Sequence, residues 1–335
     1  MQYQASTRAD VLVDEPQTPP GRIQDSLILQ LPVELIHQVS QGLPLENQIV
    51  LSQTCSAFKN ILDCTRDENK GLSRIQRIRF LSAISRSMPD KWVCIDCLKL
   101  HRIWGTDVPS IRYQNRCPKA RPLDGDDFFI GSFELAHRHL QTTLKLSRLV
   151  ETKPEYRAQL DRLLEPHHCN STHMPWDDTA STSRFSVYPK VVDGKYLLHC
   201  VWRQESELSY QIQQFAPLTC PPLCRHQLFP EPEWPHFEVA SPESPAYSEY
   251  AFIRAIRDAY RKPGVEVRDA CAGCATDFAV RVWRGSIAVD AWMDLGPEGT
   301  AMDWDWRVFV HGYVYKAVAE VPHIPNRVRE LYEKK

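Results

Sequence analysis

The segment CIDCLKLH, residues 94–101, carries two cysteines two residues apart and a histidine four further on, and Cys117 extends the spacing to C-x2-C-x3-H-x15-C. Zinc takes four nitrogen or sulfur ligands in a tetrahedron, and a C-x2-C knuckle presents two thiolates from one turn. Cys94, Cys97, His101 and Cys117 therefore form a candidate structural zinc site. Two other readings stay open: unliganded thiols buried in an apolar knuckle, and a redox pair, against which the two cysteines read as lying between a helix and a loop and not in a strand-then-helix setting. Cys271 and Cys274 form a second C-x2-C. Cys224 and His226 of LCRHQ can complete it, with Cys220 in reserve, although 45 residues separate His226 from Cys271. One site shared by Cys94, Cys97, Cys271 and Cys274 satisfies the same ligand count.

The remaining candidates are weaker. His167, His168, Cys169 and His173 cluster in HHCNSTH, but among Pro, Asn, Ser and Thr they read as solvated loop histidines. The acidic pairs Asp303/Asp305 and Asp290/Asp294 suit acid–base work. In a strand, however, residues two apart share a face, so a solvated edge or turn is the simpler reading. There is no Gly-rich phosphate loop, no G-x-S-x-G elbow and no H-E-x-x-H. The chain reads as a binding protein, not an enzyme.

Composition sets the frame. The 335 residues are 43% hydrophobic and 24% charged, with a net charge of -2, which argues against nucleic acid or an anionic membrane as partner. No apolar stretch fits a signal peptide or a membrane span, so a reducing cytoplasmic or nuclear setting is expected. There the eleven cysteines read as ligands or core residues and not as disulfides.

The elements that must position these residues change character along the chain. Residues 1–24 read as a polar, disordered tail. Pro32 then opens a helix with Leu35, Ile36 and Val39 on one face, Pro44 opens a second with Leu45 and Ile49, and a third carries Phe58, Ile61 and Leu62. SRIQRIRFLSAISRS, with Arg74, Arg77 and Arg79 between apolar positions, predicts a linker helix within 67–90. Helices are expected at about 132–149 and 155–165. The period then switches to two, with hairpin turns at Asp193-Gly194 and Arg284-Gly285. SEYAFIRAIRDAYRK reads as a helix and DWRVFVHGY as a last strand. Helices first and antiparallel strands later give an α+β class, with a recruiting domain over 91–335. Trp202, Trp234, Trp283, Trp292, Trp304 and Trp306 are candidates for a recognition face, although aromatics in a sheet mostly pack it.

The stretch LPVELIHQVSQGLPLENQIVLSQTCSAFKNIL, within 25–66, resembles an F-box: Leu-Pro, Glu-Leu, a helix, a second Leu-Pro and the closing LSQTCSAF. The wider chain is similar to fungal F-box proteins that carry CxxCxxLH soon after that module and a later CxxC-x-x-D, here CAGCATD at 271–277. The resemblance implies an adaptor that binds a Skp-type protein of a cullin–RING ubiquitin ligase and recruits a protein substrate through its C-terminal part. It places Leu31, Pro32, Leu35 and Ile36 at the leading contact edge. Val39, Leu43, Leu45, Ile49, Leu51 and Phe58 would be interior or further contact. A zinc-stapled scaffold or nucleic-acid-binding protein outside a ligase is the alternative.

Overall fold

The computed structural model describes residues 27–62, 72–109, 117, 119, 127–130, 133–171, 182–205, 223–224, 251–310 and 323–334. The chain divides into two compact units, Met1–Glu68 and Asn69–Lys335.

The first unit is a three-helix bundle: α1 (Val33–Gln41), α2 (Leu45–Ser52) and α3 (Ser56–Leu62), preceded by a 3-10 turn over Leu27–Gln30. Pro32 and Pro44 cap α1 and α2 in extended conformation. A ring that cannot donate is placed where the helix has no acceptor for it. Each helix sends one large side chain inward: Ile36 at 3% exposure, Ile49 at 2% and Phe58 at 5%.

The second unit is built on a six-stranded antiparallel sheet of order β5-β6-β7-β10-β9-β8. Its strands are β5 (His167–Ser171), β6 (Thr182–Val192), β7 (Lys195–Glu205), β8 (Val267–Ala270), β9 (Thr276–Trp283) and β10 (Ser286–Pro297). Alternation decides the faces. Val187, Leu198, Cys200, Trp202, Val280, Val282, Val289 and Ala291 line the core face. Helices α5 (His137–Leu149) and α7 (Ala251–Arg261) supply Leu140, Leu144, Phe252 and Ile256 to the same core. On the opposite face the C-terminal helix α9 (Arg327–Glu333) packs Val328 and Tyr332 with Ala279 and Trp292.

Ahead of the sheet lie α4 (Arg74–Ser85), the hairpin β1 (Lys91–Cys94) and β2 (Lys99–Arg102), and the hairpin β3 (Asp127–Ile130) and β4 (Phe133–Ala136). A short helix α6 (Arg157–Leu163) follows α5 after a 3-10 turn. α4 starts on a capping box, with Ser73 and Gln76 each bonding the other's backbone amide.

The α+β class holds, as do the two predicted hairpins: Asp193 and Gly194 both take positive φ, at 50° and 73°, as a tight two-residue turn between twisted strands requires. Four local expectations do not hold. The predicted last strand DWRVFVHGY is helix α8 (Trp304–Val310) over its described part. Asp303 starts it by accepting from the Thr300 amide at 2.6 Å and the Thr300 hydroxyl at 2.9 Å. Its apolar residues Trp306, Val308, Phe309 and Val310 are all buried. Asp303 and Asp305 thus share no strand face. The first five residues of HHCNSTH, His167–Ser171, are the edge strand β5 and not a loop, paired to β6 from His167↔Val187 to Ser171↔Ser183; Thr172 and His173 are outside the described residues. The helix expected from about 132 begins at His137, because Phe133–Ala136 pair as β4. The Cys94/Cys97 pair joins two strands and does not lie between a helix and a loop.

Gly296 has φ 91° at the register shift of β10. A Cβ there would lie 2.5 Å from that of Asp305, so only glycine lets α8 approach the strand.

Candidate functional site

Cys94 ends β1, Cys97 occupies the turn and His101 lies on β2, opposite Trp92. The turn closes with the Leu98 amide donating to the Cys94 carbonyl at 3.1 Å, Leu98 taking φ 55°. His101 Nε2 sits 2.9 Å from Cys97 Sγ, and its ring stacks on Trp92 with centroids 5.0 Å apart. Cys117 comes in from beyond β2, and the four ligand atoms lie within 4.8 Å of one another. Tetrahedral zinc with Zn–S near 2.3 Å sets its ligands about 3.8 Å apart, so the donor set fits that ion in number, type and spread. Burial pushes the Cys94 and Cys97 thiols up and the His101 imidazole down. A divalent cation would reverse the preference of the thiols, because it binds them as thiolates, while the neutral imidazole is already the form that ligates.

Helix α5 holds this hairpin against the sheet. Gln141 accepts from the Val93 amide at 3.2 Å, and buried Lys145 donates to the Met88 and Lys91 carbonyls at 3.0 and 2.7 Å. Burial lowers the Lys145 ammonium to about 8. Beyond β2, Asp107 takes Arg138 Nε at 2.9 Å and His139 Nε2 at 3.0 Å, all three buried.

The second group sits inside the main core. Cys224 and Cys271 sulfurs are 3.6 Å apart and Cys274 joins them, all at 2% exposure or less. Cys271 and Cys274 flank the turn between β8 and β9, which closes by the Cys271 amide on the Thr276 carbonyl at 2.8 Å. The proposed fourth ligand His226 lies outside the described residues, as do Cys220 and Trp234. The two groups belong to separate clusters, so a site shared by Cys94, Cys97, Cys271 and Cys274 is not formed. Nine described cysteines are free of disulfides. His168 turns instead to Ser186 and His167 to Phe133.

The aspartate of CAGCATD has a role that spacing could not reveal. Asp277 accepts from His323 Nε2 at 2.8 Å and from the amides of Asn326, Val328 and Arg329 at 2.8 to 3.0 Å, capping α9 from β9. Burial pushes its carboxyl up, but the bonds from His323 and the Arg329 amide outweigh that and hold it below the usual range. A depressed carboxylate stabilises above its unfolded value near 3.9 and loses that contribution as pH falls through the lower folded value. Asp277→Asn is expected to cost about 2–3 kcal/mol and to flatten this acid limb. Hydrogen exchange of the α9 amides checks it: exchange as slow as wild type would contradict the clamp.

In the first unit, Leu31, Pro32, Leu35 and Val39 are exposed, with Leu31, Leu35 and Val39 at 41%, 45% and 55%. Leu35 and Val39, four residues apart, share one side of α1, and Leu31 lies just ahead of the helix. Leu27, Ile28 and Val33, not singled out from the sequence, are exposed beside them, and the run LILQL was the available signal. Leu43, Leu45 and Leu51 are half-buried, and Ile36 is turned inward with Ile49 and Phe58. A bundle this small with that much apolar surface is built to be covered.

Among the described residues no helix is long and apolar enough to cross a membrane. Comparison with curated proteins and with solved structures returned no match. Residues 28–66 match the F-box domain. The exposed α1 stripe therefore belongs to a module that supports a role as a Skp-binding adaptor in ubiquitin ligases, and the chain is one that carries an F-box domain near its N-terminus.

Proposed function

We propose that this protein is a non-catalytic substrate adaptor of a Skp–cullin–RING ubiquitin ligase, working in the cytoplasm or nucleus. The F-box would bind the Skp-type protein, and Asn69–Lys335 would bind the substrate. The observation that carries the reading is the exposed stripe Leu31, Leu35 and Val39 on a domain matched over 28–66. Leu31, Pro32, Leu35 and Val39 would make the contact, with Leu43, Leu45 and Leu51 at its margin. Ile36, Ile49 and Phe58 would keep the helices in register beneath it. Such an adaptor works by raising the concentration of a target near the ubiquitin-carrying enzyme, so its second unit must be rigid. Zinc at Cys94, Cys97, His101 and Cys117 would supply rigidity where β1 and β2 are only four residues each. Cys224, Cys271 and Cys274 would take a second ion with a fourth ligand such as His226.

Co-expression with a Skp-type protein tests the reading. Wild type is expected to co-purify stoichiometrically. Leu31→Ala with Leu35→Ala removes two exposed apolar anchors and should weaken the complex by about 2 kcal/mol or more while leaving the melting temperature in place. Equal recovery of both chains with the adaptor, or of neither, would sink the proposal.

A further inference from the structure

The face of the six-stranded sheet turned away from the main core carries an unbalanced pair of charges. Arg184 on β6 and Arg203 on β7 are direct cross-strand partners, and both are exposed. The row continues from Arg203 to Ala288 on β10 and to Arg281 on β9. Arg281 is neutralised by Glu266 at 2.6 Å. Three further acids of this face are also engaged: Asp290 with His199, Asp294 with Lys195, and Asp277 with α9. Arg184 and Arg203 have no ion pair among the described residues, and Glu205, two residues along β7, pairs with neither.

Like charges placed directly opposite in an antiparallel pair are destabilising. A fold that keeps them, with Asp277, Asp290 and Asp294 of this face engaged elsewhere, presents a cationic notch that suits an external anion. Guanidinium groups present flat forks of donors that suit carboxylates two bonds at a time. Exposed Trp283, with Arg281 over its ring at 5.6 Å, gives the far end of the same face an apolar contact.

We propose that Arg184 and Arg203 form a docking site for an acidic segment of a protein partner, rich in Asp and Glu, lying across β6 and β7. The identity of that partner as the ubiquitination substrate rests on the adaptor reading above; the binding of acidic peptide does not.

The test uses the full chain co-expressed with the Skp-type protein. Anisotropy of a labelled Glu-rich peptide is compared with its Gln-for-Glu counterpart, at low and high salt, for wild type and Arg184→Gln/Arg203→Gln. Wild type should bind the Glu-rich peptide in a salt-sensitive way, and the double variant should bind it roughly ten-fold or more weakly. The variant should melt at or above the wild-type temperature, since it relieves the opposed charges. Equal binding of the Glu and Gln peptides, or equal binding by variant and wild type, would overturn the site. So would a variant that loses both stability and peptide binding, or a requirement for phosphoserine in place of Glu. Peptide binding absent with adaptor co-purification intact rejects this site alone, whereas the reverse result rejects the ligase reading alone.

Discussion

Replacing Cys94 and Cys97 together by serine is expected to remove one equivalent of zinc from the purified chain and to lower the stability of the second unit by several kcal/mol. The geometry sets the direction. Cys94, Cys97, His101 and Cys117 place their ligand atoms within 4.8 Å of one another, in a cluster whose other members are Trp92 and Ile103. Without a cation that arrangement gains little, since three thiols at this spacing offer only weak hydrogen bonds. With zinc, apparent binding energies reach about 10–16 kcal/mol in small metal-folded peptides. The whole amount will not appear, because α5 also holds β1 through Gln141 and Lys145. Metal content by emission spectroscopy and the urea midpoint check the expectation together. A double variant with wild-type metal content and midpoint would mean the thiols are ordinary core residues. A Cys271→Ser variant separates the two groups: it should spare the zinc at Cys94 and remove that held by Cys224, Cys271 and Cys274.

What the sequence made legible was whatever depends on near neighbours. Asp193-Gly194 between alternating runs is a turn for local steric reasons, and β6 and β7 pair in register from it for eleven residues each. Pro32 and Pro44 mark helix starts for the same kind of reason. The C-x2-C knuckle announces a candidate metal group because that chemistry needs that spacing, and Cys94, Cys97, His101 and Cys117 do come together. The failures come where local signals conflict or distant residues decide. Trp304–Val310 reads as a strand because Val and Phe favour pleated surfaces, yet Asp303 and Thr300 supply a start and the core beneath β10 takes Trp306 and Phe309. Asp277 gave no warning: the groups that it binds begin 46 residues later, at His323. The exposed pair Arg184 and Arg203 became visible only through the register of two strands joined by the turn between them.

Asp107 carries the second large expected effect, and it too was invisible in the sequence. It lies at 2% exposure and accepts from Arg138 Nε at 2.9 Å, Arg138 Nη2 at 3.3 Å and His139 Nε2 at 3.0 Å. Burial pushes its carboxyl up, but the bonds from His139 and Arg138 win and hold it below the ordinary carboxylate range. Burial also drives the His139 imidazole down, against the pull of Asp107. His139 is further fixed by the Ala136 amide donating to its Nδ1 at 3.2 Å. The loop after the β1–β2 hairpin is thereby fastened to the first turn of α5. Asp107→Ala would break a buried charge pair, which typically costs about 3–5 kcal/mol, a substantial share of the stability of any domain. Replacing both partners, as Asp107→Leu with Arg138→Met, should cost markedly less than Asp107→Ala alone, because the two members of the pair are removed together. Urea unfolding with zinc in excess measures each variant. The depressed carboxyl adds a pH signature: the pair's contribution is full above the unfolded value near 3.9 and is lost as pH falls through the lower folded value. In the doubly apolar chain that acid-side loss should shrink. If Asp107→Ala and the double replacement cost the same, the charge pair is not what holds the loop to α5, and the packing of Ile103 and Val108 would have to account for it.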